Sequence, residues 1–125
     1  MSHRDRVIST QKKNPSYTVC MTTPLEVPAW QLELGEVDPA AIIDIRPPEA
    51  FRRGRLKGAV SLPYERFQVE IEGQICAEDW VLIVDTAGAR AAEMAIWLRT
   101  RGYAASSLEG GMTGWRGKLV TGAAD

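Results

Sequence analysis

The sequence predicts an open α/β sheet with crossover helices, and three features carry that expectation. Ala41 to Ile45, apolar but for Asp44, and Val81 to Val84 are apolar runs without alternation. Runs of this length are what strands buried on both faces look like in a parallel sheet. Ala91, Met94, Ala95 and Leu98 fall at i, i+3, i+4 and i+7, an apolar stripe of helical period just after the second run. Strand-like and helical segments then alternate along the chain, as crossovers between parallel strands require. With 125 residues, 45% hydrophobic and 25% charged, the chain is one domain's worth of protein. A chain of this size can bury roughly two-thirds of the surface its unfolded form exposes.

Taken in order, residues 1–16 are polar and basic without period and are expected to form a flexible arm before a domain over 17–125. Tyr17 to Met21 is β-prone and reads as a first strand. Leu25, Val27, Trp30, Leu32 and Leu34 follow Pro24 and surround a short helix ending near Gly35. Ala41 to Ile45 is the first buried strand. A helical piece from Pro48 to Arg53, a weak strand from Ala59 to Leu62 and a helical or irregular stretch from Tyr64 come next. Val81 to Val84 is the second buried strand, and the striped helix begins after Gly88 and stops at Gly102. Tyr103 to Leu108 reads as a further strand, Gly110-Gly111 as a turn, and Met112 to Gly117 as a closing helical turn.

The residue counts exclude several classes of chemistry. Fifteen Lys+Arg against sixteen Asp+Glu leave a formal charge of -1, so nucleic acid is not an expected partner. The single histidine, His3, lies in the terminal arm, where a catalytic triad or metal site would have to borrow it. Two cysteines, Cys20 and Cys76, are too few for a four-cysteine zinc site or a disulfide framework. No metal or other cofactor is expected. The apolar runs are strand-sized and cannot span a membrane, and Met1 to Lys13 lacks the apolar stretch of a secretory signal. A reducing, cytoplasmic location is the expectation.

In open α/β sheets the ligand site lies outside the carboxyl ends of the strands. Two such ends stand out: Asp44-Ile45-Arg46, and the loop Asp85-Thr86-Ala87-Gly88-Ala89-Arg90 before the best helix. That loop has small side chains and ends in a guanidinium. Successive backbone N–H groups at a helix N-terminus form an anion-binding concavity.

Asp85-Thr86-Ala87-Gly88 resembles the magnesium and switch segment of small GTPases, but no G-x-x-x-x-G-K-[ST] loop precedes it, so that reading is rejected. A second resemblance covers the chain from Thr22 to about Gly117. Ile43-Asp44-Ile45-Arg46 with Glu49, Phe51, Gly54, Gly58-Ala59-Val60 and Leu62-Pro63 resembles the entry signature of rhodanese-like domains. Val81 to Arg90 resembles their active-site strand and loop, and Leu108-Glu109-Gly110-Gly111 with Trp115 their closing segment. The resemblance implies a mainly parallel five-stranded sheet with helices on both faces. It also implies that Asp44 and Arg46 brace the strand end beside the loop.

The departures from that pattern decide the functional expectation. Active members open the loop with a cysteine; here Asp85 stands in its place, while Gly88 and Arg90 fit. Arg55 replaces a usual histidine and Lys57 a usual proline, changes expected to affect the turn and surface charge. Sulfur transfer needs a thiolate that attacks a sulfane sulfur and stores it as a persulfide, and a carboxylate gives no comparable carrier. Asp85 is expected instead to accept the loop's own N–H groups, with Arg90 closing the loop by bonding Asp85 or nearby carbonyls. The expected function is therefore an inactive rhodanese-like domain acting as a binding or regulatory module, for a protein partner or a small anion. The basic residues Arg52, Arg53, Arg55 and Lys57 are expected to be solvated, or to face an acidic partner. Two enzymatic alternatives remain: a thiosulfate sulfurtransferase or persulfide carrier using Cys20 or Cys76, and phosphoryl chemistry on Asp85. Cys76 is placed near the end of the sheet opposite the loop. Trp97, off the centre of its helix's stripe, is expected to be partly buried against another helix, the alternative being an exposed contact surface.

Overall fold

A computed structural model describes residues 23–122. The expected arm, the strand at Tyr17 to Met21, His3 and Cys20 fall outside them. Five strands form one sheet: β1 (Glu26–Val27), β2 (Ala41–Asp44), β3 (Ala59–Ser61), β4 (Trp80–Val84) and β5 (Ala104–Leu108). Their spatial order is β1-β5-β4-β2-β3, and every neighbouring pair is parallel. The helices are α1 (Ala29–Glu33), α2 (Pro48–Arg53), α3 (Tyr64–Glu70) and α4 (Ala89–Thr100), with 3-10 turns at Ile71–Gly73 and Gly111–Gly114.

The two apolar runs became two of the three inner strands. β2 and β4 pair directly, with Ile43 opposite Ile83 and Asp44 opposite Val84. One bond beyond the strand, the Ile45 N–H donates to the Val84 carbonyl at 2.9 Å. Val81, Leu82, Ile83 and Val84 are all 0% exposed because layers cover both faces. On one face Ile43, Val81, Ile83 and Ala105 pack with Phe67 of α3 and Ala91, Met94, Ala95 and Leu98 of α4. On the other, Val27, Leu82, Val84 and Leu108 pack with Leu56, α1 and the closing turn.

The four stripe residues are the buried residues of α4, and the chain turns at Gly102 with φ 95°. Proline at the start of α2 and acidic Glu49 in its first turn, with Arg52 and Arg53 in its last, suit the helix termini. Trp97 is half-buried and meets the Phe67 ring edge-on at 6.4 Å, as its off-stripe position implied.

Two expectations need correction. The sequence places Leu25 and Val27 around a short helix, but Glu26 and Val27 form the edge strand, opposite Ser107 and Leu108. A two-residue strand has no pattern of its own, and its ladder partner creates it. Arg55 is not a solvated member of the basic cluster, whereas Arg52, Arg53 and Lys57 are exposed. The Arg55 side chain is 6% exposed, stacked over the Phe51 ring at 4.6 Å. It donates to the carbonyls of Phe51 (3.2 Å) and Gly122 (2.8 Å).

Among the described residues, no helix is long and apolar enough to cross a membrane.

Candidate functional site

Sheet order locates the site. The chain leaves β2 toward β3 and then crosses back to β4 on the other side of β2, so the winding direction reverses between β2 and β4. Crevices open at the carboxyl ends of such a pair. Here a cleft of about 300 Å³ is lined by Ile45, Arg46, Pro47, Asp85, Thr86, Ala87, Ala89 and Arg90.

The Asp85 carboxylate governs the loop. Its Oδ1 accepts the Gly88 N–H, and its Oδ2 accepts the N–H groups of Arg90 (2.9 Å) and Ala91 (3.2 Å). Asp85 is 7% exposed. The residue flanking α4 is Gly88, in the left-handed region at φ 108°, and it has no side chain to cap with. Asp85 therefore caps the second and third residues of α4 from across the loop, using the oxygens an N-cap aspartate would use. The N–H groups of Gly88, Arg90 and Ala91 thus converge on the protein's own carboxylate.

From below, the closing turn fixes the loop. The Asp85 carbonyl accepts the Met112 N–H at 2.9 Å, and the Thr86 carbonyl accepts both the backbone N–H (3.0 Å) and hydroxyl (2.8 Å) of Thr113. On the β2 side, Arg46 grips Asp44 through Nε (3.0 and 3.2 Å) and Nη2 (2.8 Å), and Nη2 also reaches the Gly54 carbonyl at 2.6 Å. Asp44 is 1% exposed. The pair holds the strand end in place.

A family model for the rhodanese-like domain matches residues 27–118 of the chain. The chain belongs to the rhodanese-like family. Solved structures agree on the fold. A rhodanese-like domain protein from Staphylococcus aureus is 24% identical, with a TM-score of 0.69, covering 80% of this chain and 100% of that one. A rhodanese-related protein from Thermoplasma volcanium is 17% identical, with a TM-score of 0.70, covering 78% and 98%. A rhodanese-like domain from Anabaena is 20% identical, with a TM-score of 0.69, covering 82% and 89%. No curated protein matches the chain.

Arg90 behaves differently from expectation in this rhodanese-like domain. Its bond to Asp85 comes from its backbone, while its guanidinium lies over the Tyr64 ring, 4.4 Å from the centroid. Cation–π contact on a neighbouring aromatic competes with a carboxylate that three N–H groups already satisfy. The Tyr64 hydroxyl donates to Glu93 at 2.9 Å, and this bond holds the phenol above its ordinary pKa. Tyr64 and Glu93 were not singled out in the sequence. The available signals were Tyr64 at a helix start directly after Leu62-Pro63, and Glu93 three residues beyond Arg90 on one helix face.

Cys76 lies in the connection that enters β4, at the amino end of the strand whose carboxyl end carries Asp85. The five residues of Trp80–Val84 span about 16 Å. The Cys76 N–H donates to Asp79 at 3.0 Å. Among the described residues, no group of three His, Cys, Asp or Glu side chains is placed to hold a metal.

The capping geometry sets a stability effect. Asp85→Ala removes three acceptor bonds to buried or part-buried N–H groups, and is expected to cost about 2 kcal/mol. Chemical denaturation at neutral pH measures it. A variant as stable as the parent would mean that the carboxylate does not hold the loop.

Proposed function

We propose that this rhodanese-like domain is a binding or regulatory module that transfers no sulfur at its loop. In this reading Asp85 stands where active members carry the cysteine that becomes a persulfide. The observation that carries the reading is the Asp85 carboxylate bonded to the N–H groups of Gly88, Arg90 and Ala91. In an active loop such donors would face the substrate anion or the sulfur it delivers. Here they are already satisfied, and a fixed negative charge in the same space repels thiosulfate or phosphate. A carboxylate is also a poor nucleophile toward sulfane sulfur and forms no durable carrier.

The partner in this reading is a protein presenting acidic groups to the exposed cations Arg52, Arg53 and Lys57, in a reducing cytoplasmic setting. Phosphoryl transfer on Asp85 is disfavoured, because three N–H groups occupy its oxygens.

The test is the standard sulfur-transfer reaction. Purified protein with thiosulfate and cyanide is expected to form no thiocyanate above a buffer control. Turnover that disappears on Cys20→Ser or Cys76→Ser would replace this reading with the sulfurtransferase using a non-loop thiol.

A further inference from the structure

On the sheet face opposite α3 and α4, a groove of about 690 Å³ opens between α1 and the segment after the closing turn. Sites for small molecules ordinarily measure roughly 300–1,000 Å³ and are mostly apolar with a few placed polar groups. The apolar lining is Leu32, Ile42, Leu56 and Trp115. Ile42 sits on an inner strand and is nevertheless only half-buried, because the groove lies over it.

The aromatic wall is held in position. The Trp115 Nε1–H donates to the Lys118 carbonyl at 3.0 Å. The ring rests on Gly117, where an added Cβ would come within 2.6 Å of Trp115 Cζ2. The orientation of the indole is thus set by the protein itself, which lowers the ordering cost of binding.

The rim is charged with one dominant sign. Lys57, Arg116 and Lys118, all exposed, stand against a single acid, Glu33. Three cations less one anion leave +2 at the rim, in a chain whose formal net charge is -1. Arg116 also donates to the Thr113 and Trp115 carbonyls at 3.4 and 3.5 Å; a neutral apolar ligand would leave the charges of Lys57 and Lys118 unused, and a cationic one would be repelled. An anionic head joined to an apolar body satisfies both parts.

We propose that this groove binds an amphiphilic carboxylate of the medium- or long-chain fatty acid class. The chain lies along Leu32, Ile42, Leu56 and Trp115, and the carboxylate meets Lys57, Arg116 and Lys118. Asp85 and its loop do not line the groove, so the proposal stands whether or not the loop transfers sulfur.

Calorimetric titration of the full chain with sodium dodecanoate, kept below micelle formation, tests it. Saturable one-to-one binding is expected, weakened about tenfold by the double variant Lys57→Glu/Lys118→Glu. Arg66→Glu, a charge reversal on α3 across the sheet, is expected to leave binding unchanged. Dodecyltrimethylammonium, with the same chain and the opposite head charge, is expected not to bind. Absence of saturable binding, equal binding of the cationic amphiphile, or indifference to the double reversal would each overturn the proposal.

Discussion

Treated with thiosulfate, an Asp85→Cys variant is expected to gain one sulfur atom by mass, and the parent protein none. The thiolate would attack the sulfane sulfur of thiosulfate, forming the S–S bond of a persulfide and releasing sulfite. The expectation follows from which donors are freed. The N–H groups of Gly88, Arg90 and Ala91 now converge on a carboxylate. With that carboxylate gone, they face a sulfur one bond nearer the backbone, whose larger radius offsets part of the lost reach. A thiol at a helix N-terminus has its charged form favoured. Alkylation about tenfold faster than at Cys76 is therefore expected at neutral pH. If the new thiol alkylates no faster than Cys76 and acquires no sulfur, the difference from an active loop extends beyond Asp85.

A larger cost to stability is expected at the closing turn. Gly111 has φ 60°, and a Cβ there would lie 2.5 Å from the Thr86 carbonyl oxygen and 2.6 Å from that of Asp85. Both obstacles are backbone, so no side chain can swing aside. Those carbonyls also accept the Met112 and Thr113 N–H groups, and any shift that relieves the clash stretches these bonds. Gly111→Ala is expected to destabilise the protein by about 3 kcal/mol, combining left-handed strain with forced separation of two segments. The same change at Gly35, also left-handed but with nothing within 4 Å of an added Cβ, isolates the strain alone and is expected to cost about 1 kcal/mol. Equal losses in denaturant melts of the two variants would remove the contact between loop and turn from the account.

The parts of this fold that were legible in sequence are those that local pattern determines. Ala41 to Asp44 and Val81 to Val84 had no polar residue to show to solvent before the strand end, and both are inner strands. The α4 stripe named its buried face because burial on one side of a helix must repeat near every 3.6 residues. The illegible parts depend on partners distant in the chain. Glu26–Val27 is a strand because Ser107 and Leu108 lie beside it. Arg90 turns to Tyr64, which arrives from the start of α3. At the site, Asp44, Arg46 and Asp85 were located from the strand ends. The aspartate's reach past Gly88 into the first turn of α4 required the left-handed bend at that glycine.

The inward Arg55 ties the segment after residue 118 to the rest of the fold. The stretch shared with the family closes at residue 118, yet the chain's own contacts continue past it. Arg55 and Val120 exchange backbone bonds of 2.9 and 2.8 Å as an antiparallel bridge, and Gly122 donates to the Arg52 carbonyl at 3.0 Å. The Gly122 carbonyl also accepts from the buried guanidinium. A piece excised at the end of the shared stretch would lose the bridge and withdraw an acceptor from a charge that is 6% exposed. Desolvated cations tolerate such losses poorly. The contacts that hold this fold together therefore reach past the homologous segment, at least to Gly122.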